Sequence, residues 1–249
     1  MPADPVFPVV PSADANPDAD QEAFLGVLML RTRFPRLPGE IGHPASFGLP
    51  ARHVVVERAV AASVVQDAAA LRASGLAEDF IAAARRLEAE GAAAITTSCG
   101  VLVLFQRELQ QAVRVPLVTS SLVMLPELLA TESQVGVLTI SAKRLGPEYL
   151  AAAGVPPDRM RDVIVEGMPA DGEFASAILG DRAEMNADRA RDEAVAAALR
   201  LRRRAPGLHT LVLECTNLPP HAPSIEQATG LRTLSLLQCA ALRRPFETG

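Results

Sequence analysis

Short apolar runs alternate along the chain with longer segments in which apolar residues recur every three or four positions. Phe24–Leu30, Ala92–Ile95 and Gln134–Ile140 are apolar runs of strand length, which predict buried strands of a parallel sheet. Asn186–Arg204 has the clearest helical spacing, with alanines and Leu201 on one face. Strands that alternate with helices predict an α/β fold in which mainly parallel sheets are flanked by helices.

The remaining elements follow the same alternation. Further strands are predicted at His53–Val56, Val113–Val118, Val163–Val165 and Thr233–Leu236. Further helices are predicted at Ala59–Ala73, Ala77–Glu90, Leu102–Gln111, Leu122–Ala130, Arg144–Ala153, Ile225–Thr229 and Gln238–Arg243, with a short helix starting at Glu173. The polar and proline-rich stretch 31–50 is a long loop, and such loops inside a compact domain usually serve as a lid or pocket wall.

A strand that ends in a cysteine occurs twice. The first strand leads through Thr96, Thr97 and Ser98 to Cys99, and an apolar strand after His209 leads to Cys215. The order strand, helix, strand, helix, thiol turn therefore predicts two similar α/β lobes that face each other across a cleft.

The expected division of the chain follows from this repeat. Residues 21–121 with 222–249 are expected to form the lobe that carries Cys99, and residues 122–221 the lobe that carries Cys215. The segment 1–20 is rich in Pro, Asp and Ala and is expected to be a mobile tail.

Composition excludes several function classes. A net charge of −5 and a pI near 5.5 argue against a nucleic-acid partner. No apolar run reaches the roughly 18 residues that a membrane span needs, and the N-terminus lacks the pattern of a secretory signal. Three cysteines without a close pair indicate reduced thiols, so we expect a cytoplasmic protein.

The two thiol turns carry the candidate chemistry. A cysteine at the carboxyl end of a strand, beside a helix N-terminus, lies where open α/β sheets bind ligands, and the helix dipole there lowers a thiol pKa from roughly 8.5. Two thiols on opposite faces of a substrate can remove a proton from one face and return one to the other. The groups that we expect to hold the substrate and its developing charge are Thr97, Ser98, Gly100, Ser120, Ser121, Thr139, Thr216 and Asn217.

These motifs resemble the aspartate/glutamate racemase superfamily of cofactor-independent racemases, decarboxylases and isomerases. Leu213-Glu-Cys-Thr-Asn-Leu-Pro219 is similar to that family's Gly-Cys-Thr-His-x-Pro motif, Thr96–Gly100 matches the position of its first catalytic cysteine, and Val135–Thr139 resembles the strand that opens its second lobe. The resemblance implies paired lobes related by a pseudo-twofold axis, no cofactor, a small carboxylate substrate between two catalytic cysteines, and a homodimer. On this basis the expected function is amino-acid racemisation.

The sequence also departs from the family's pattern. Met29 and Leu30 stand where its amino-acid racemases carry Asp-Ser, Gly100 and Val101 stand where they carry Asn-Thr, and Asn217 replaces the motif's histidine. Decarboxylation of a malonate or isomerisation of a cis-diacid therefore remain alternatives on the same scaffold. A cysteine hydrolase and a non-catalytic acid-binding protein are further alternatives.

Other reactive residues have ordinary structural interpretations. Cys239 is expected to be a buried helix residue, and His53 and His209 to border strands. In the long loop, Arg33, Arg36, Glu40 and His43 are expected to be solvated, although the arginines could pair with a second carboxylate and Glu40 or His43 could face a substrate. Cys99, Cys215 and His221 lack a recognisable metal-ligand spacing, so no metal site is expected.

Overall fold

The computed structural model of this protein describes residues 22–247, so the predicted tail at 1–20 lies outside the described residues. Two four-stranded sheets form its framework, and every pairing within them is parallel. The strands are β1 (Phe24–Leu30), β2 (Ala51–Val56), β3 (Ala92–Thr97), β4 (Leu117–Val118), β5 (Val135–Thr139), β6 (Val163–Gly167), β7 (Thr210–Leu213) and β8 (Arg232–Leu234).

Both sheets have the same topology. Their orders are β2-β1-β3-β4 and β6-β5-β7-β8, so each has its second, first, third and fourth strands side by side. The third strands, β3 and β7, are the ones that lead to Cys99 and Cys215. The expected two-lobe α/β fold is therefore confirmed, and the two cysteines occupy equivalent positions in it.

Helices flank the sheets. They are α1 (Ala61–Val64), α2 (Ala68–Ala73), α3 (Leu76–Ala89), α4 (Gln106–Ala112), α5 (Leu125–Thr131), α6 (Pro147–Ala152), α7 (Glu173–Leu179), α8 (Ala187–Arg204), α9 (Ala222–Thr229) and α10 (Ala240–Arg243). The longest of them, α8, begins where Asn186 accepts a hydrogen bond from the N–H of Arg189, and it buries its alanine-rich face. No helix in residues 22–247 is both long and apolar enough to cross a membrane.

Several element boundaries differ from expectation. The helix predicted at Ala59–Ala73 is two helices, because the side chain of Asp67 accepts from the N–H of Ala70 and starts a new one. The segment from Gly100 to Phe105 is a 3-10 turn, and regular α-helix begins only at Gln106. The predicted strand Val113–Val118 pairs only at Leu117 and Val118.

The expected assignment of the C-terminal segment needs a correction. β8 pairs with β7, so residues 222–234 extend the second sheet instead of joining the first lobe. The chain returns afterwards, since α10 packs against β3 and β4. One continuous core of buried side chains joins the two sheets, from Phe24 near the start to Leu231.

Candidate active site

Cys99 and Cys215 line one small cavity between the two sheets. Both side chains are buried, and the backbone N–H two residues later, that of Val101 or Asn217, acts to lower the pKa of each thiol. The Cys215 thiol itself donates to the side-chain oxygen of Asn217 at 3.8 Å. The turns therefore supply N–H donors at the thiols, which is the arrangement expected of a strand that ends beside a helical turn.

Hydrogen bonds between the lobes join the two thiol turns. The hydroxyl of Thr216 donates to the carbonyl of Ser98 at 2.6 Å, and the hydroxyl of Ser121 donates to the carbonyl of Leu213 at 2.8 Å. All four residues are buried. These bonds make the floor of the cavity a single structural unit, even though its halves come from different sheets.

The cavity encloses about 30 Å³. That is room for one or two water molecules and not for an amino acid, so the structure shows a closed site. Its lining combines a polar floor, contributed by the two thiol turns, with a wall of apolar side chains. The complete lining is Leu30, Phe34, Ala61, Val65, Ser98, Cys99, Gly100, Val101, Ile140, Ile178, Glu214, Cys215, Thr216 and Asn217.

Glu214 lines the same cavity as the two thiols, and sequence reasoning did not select it. Its side chain is 2% exposed; one carboxylate oxygen accepts from the hydroxyl of Thr139 at 2.6 Å, while the other is buried without a hydrogen-bond partner. Burial raises the pKa of Glu214 to about 7. The one available signal was an acidic residue at the end of the otherwise apolar β7.

Gly100 makes room for this carboxylate. A Cβ at position 100 would lie 2.4 Å from the unpartnered oxygen of Glu214 and 2.3 Å from its carbonyl oxygen. The glycine that follows Cys99 is therefore needed for the close packing of the two thiol turns, whatever its part in substrate binding.

The expectation that the turns lower the thiol pKa values is wrong for this closed form. Burial raises the pKa of Cys99 to about 12, and the negative charge of Glu214 adds to the effect. The pKa of Cys215 is also raised by burial and by Glu214. The backbone donors oppose these shifts, as does the positive charge of Arg36 at Cys99, but burial is the larger influence.

The long loop contributes buried charges, which corrects the expectation that its polar residues are solvated. Glu40 is fully buried and accepts a 2.8 Å hydrogen bond from the side-chain amide of Asn217. Arg36 lies 3.6 Å from the same carboxylate, and its guanidinium stacks 4.5 Å from the centre of the Phe34 ring. Arg33 is exposed, as expected, and pairs with Asp181.

Not all of the predicted substrate-binding residues reach the cavity. Ser98, Gly100, Thr216 and Asn217 line it, whereas Thr97, Ser120, Ser121 and Thr139 do not. The hydroxyl of Thr97 donates to the carbonyl of Thr119, and that of Ser120 caps a helical turn at Leu122. The role of all eight in binding stays a prediction.

The chain has four histidines, and all four lie outside the cavity lining. His221 is the nearest in sequence to a thiol; it is buried beside Phe174. A cysteine hydrolase needs a histidine base within hydrogen-bonding reach of its thiol. The arrangement therefore gives no support to the hydrolase alternative.

The family to which the chain belongs follows from a match over most of its length. Residues 45–243, most of the chain, match the Asp/Glu/Hydantoin racemase family. The chain belongs to this family. Both cysteines lie inside the matched region.

The curated proteins that resemble this chain in sequence are named for a lyase activity and not for racemisation. The chain is 30% identical over 219 residues to a dimethylsulfoniopropionate lyase of Durusdinium sp. clade D, covering 85% of this chain and 70% of that enzyme. It is 28% identical over 234 residues to dimethylsulfoniopropionate lyase 3 of Emiliania huxleyi (strain CCMP1516), covering 86% of this chain and 57% of that enzyme. The chain thus spans little more than half the length of this second relative.

Solved structures share the fold at low sequence identity. A variant of arylmalonate decarboxylase with sulfate bound superimposes with a TM-score of 0.60 at 17% identity, covering 91% of this chain and 94% of that one. Allantoin racemase from Klebsiella pneumoniae gives a TM-score of 0.58 at 12% identity, covering 90% and 86%. This family fold therefore carries racemases and a decarboxylase.

Proposed function

We propose that this chain is a cofactor-independent lyase acting on a small zwitterion of the dimethylsulfoniopropionate type. A cysteine thiolate removes a proton from the carbon next to the substrate carboxylate, and a leaving group departs from the following carbon. The observation that carries the proposal is the cavity itself, which Cys99, Cys215 and Glu214 all line.

The charges around the cavity suit a substrate with one negative and one positive group. Arg36 and the backbone N–H groups of the thiol turns favour a carboxylate, whereas Glu214 favours a cation. A malonate-type diacid would place its second carboxylate near Glu214, where like charges repel. Dimethylsulfoniopropionate carries a carboxylate at one end and a sulfonium at the other, and it is the compound named for the curated relatives.

The proposed reaction balances without a co-reactant. The thiolate takes the hydrogen on the carbon next to the carboxylate as a proton, and the released electron pair forms a carbon–carbon double bond. The carbon–sulfur bond breaks, its electron pair leaves with dimethyl sulfide, and acrylate remains. The thiol then returns its proton to solvent, so the net products are acrylate, dimethyl sulfide and a proton.

Cys99 is the better placed base. Arg36 interacts with both thiols and Glu214 raises the pKa of both, but the charge of Glu40 adds to the rise at Cys215. In this reaction Cys215 remains a thiol and donates toward the substrate. Elimination needs only one base, so the two cysteines are unequal in it.

Racemisation is the second candidate, because the two thiols come from equivalent strands of the two sheets. Both reactions begin by removing the same proton. They differ afterwards: racemisation returns a proton to the opposite face through the second thiol, which makes both cysteines indispensable.

The test is to supply the chain with dimethylsulfoniopropionate, and in separate samples with enantiopure aspartate and glutamate in deuterium oxide. We expect dimethyl sulfide by gas chromatography and acrylate by NMR, with no deuterium entering the amino acids. Cys99→Ala should lower the elimination rate by roughly 10²–10⁴-fold. Cys239→Ala is the control, because Cys239 lies at the start of α10 outside the cavity lining. Deuterium exchange without dimethyl sulfide would assign racemisation instead.

A further inference from the structure

We propose that Glu214 is the residue that selects a substrate carrying a positive charge, by holding the cationic group against its unpartnered carboxylate oxygen. The inference rests on the proposed function for the class of substrate. It adds the residue that distinguishes a zwitterion from a simple carboxylic acid of the same shape.

The carboxylate of Glu214 is held in place with one oxygen left over. Thr139 donates to one oxygen at 2.6 Å, and Gly100 leaves the space that the other occupies. That second oxygen is buried and accepts no hydrogen bond from any described residue. Leaving a buried acceptor unsatisfied is costly for the folded protein, so its retention beside two thiols points to a ligand that satisfies it.

The surroundings favour a cation with alkyl groups over one with N–H donors. Phe34, Val65, Ile140 and Ile178 form an apolar wall of the cavity that Glu214 also lines. A sulfonium or quaternary ammonium spreads its charge over methyl groups, which pack against apolar and aromatic side chains. A primary ammonium would need several acceptors, and this wall offers none from its side chains.

Cation binding at Glu214 also affects the thiols. In the closed form the charge of Glu214 raises the pKa of both Cys99 and Cys215. A cation beside the carboxylate offsets that charge, so its arrival makes a thiolate easier to form. The same contact that selects the substrate therefore also favours ionisation of the thiol that acts as the base.

The experiment uses a matched pair of ligands in isothermal titration calorimetry. The two probes, 3-(trimethylammonio)propionate and 4,4-dimethylpentanoate, have the same shape and differ by one positive charge. We expect the wild-type chain to bind the zwitterion about tenfold or more tightly than its carbon analogue, which carries only the carboxylate charge. In Glu214→Gln the two affinities should become equal, chiefly because the zwitterion binds more weakly.

Two further variants keep the test decisive. Glu214→Met removes the buried charge altogether, and it should abolish the preference in the same way. Glu132→Gln is the matched control: Glu132 accepts from Thr210 at 2.7 Å and also has a buried, unpartnered oxygen, but it does not line the cavity. This control should keep the full preference.

The outcomes separate this inference from the proposed reaction. A preference that persists in both Glu214 variants overturns it, as does a wild-type chain that binds neither probe or both equally. Release of dimethyl sulfide with an unaltered preference in Glu214→Gln leaves the reaction standing and removes Glu214 from recognition. A preference that depends on Glu214, without any release of dimethyl sulfide, removes the reaction and keeps the recognition.

Discussion

Asn217, two residues after the second thiol, donates a 2.8 Å hydrogen bond to Glu40, which lies 177 positions earlier in the chain. The backbone adds a second link, since the N–H of Ile41 donates to the carbonyl of Thr216 at 3.1 Å. The long loop 31–50 is thereby attached to the Cys215 turn. Asn217 stands where the family's motif has histidine, and here its amide serves to hold the loop.

Replacing Asn217 by Leu should loosen this attachment. The change leaves the buried carboxylate of Glu40 without its amide donor, a loss of about 1–3 kcal/mol in the free energy of unfolding. Limited proteolysis should cut the loop faster in this variant. Ser46→Ala is the control, since it removes a hydrogen bond to Gly39 inside the loop without touching the thiol turn. Equal cleavage rates in the two variants would contradict the proposed attachment.

Stability should fall as the pH rises toward neutrality because of Glu214. Its pKa is raised from 4.5 to about 7 in the folded chain, so between these values the folded state binds a proton that the unfolded state has released. The contribution is present below pH 4.5 and lost as the pH passes 7, and it amounts to about 3 kcal/mol at most.

The difference between wild type and Glu214→Gln isolates this effect. Glu40 has a similarly raised pKa, of about 7, and stays in both proteins, so it cancels. Urea unfolding at several pH values should show wild type losing stability relative to the variant between pH 4.5 and 7. A difference that is constant across this range would refute the assignment.

The thiols of the closed site should react slowly with alkylating agents. The pKa of Cys99 is raised to about 12, so its thiolate fraction is very small at pH 8. We expect iodoacetamide to modify Cys99 and Cys215 at least about tenfold more slowly in the folded chain than in urea, as counted by mass spectrometry. Rapid labelling of Cys99 in the folded chain would show that its thiol is ionised or open to solvent.

Gly100→Ala should destabilise the fold through the packing of the thiol turns. Its Cβ would collide with the backbone carbonyl of Glu214, which cannot move aside as a flexible side chain could. We expect a loss of about 1–3 kcal/mol in urea unfolding. Gly207→Ala provides the comparison, because a Cβ there would meet no atom within 4 Å. Similar losses in both variants would refute this account.

The sequence predicted the elements whose side chains are continuously apolar. β1 and β3 are buried along nearly their whole length, so their composition alone marks them as strands. The strand predicted at Val113–Val118 was wrong before Leu117, and the reason is physical. Its backbone groups bond to side chains, since the N–H groups of Arg114 and Val115 donate to Glu88 and the carbonyl of Val115 accepts from Gln110.

The site was predictable only where its residues share a local pattern. Cys99 and Cys215 stood out because each follows a buried strand. Arg36 and Glu40 did not, because charged residues in a loop are usually solvated and only the loop's path through the fold buries Glu40 and half-buries Arg36. Glu214 belongs between these cases: it lay inside the recognised motif, but its place beside Gly100 depends on how the two sheets meet.

The hydrogen bonds from Thr216 to Ser98 and from Ser121 to Leu213 have a kinetic consequence. They fix the polar floor, so access to the 30 Å³ interior should depend on displacement of the apolar side chains that complete its lining, Phe34 and Ile178 among them. Substrate binding and product release therefore both require that displacement. Turnover should accordingly slow in viscous media such as concentrated sucrose, even though the rate of the proton-transfer step itself does not depend on solvent viscosity.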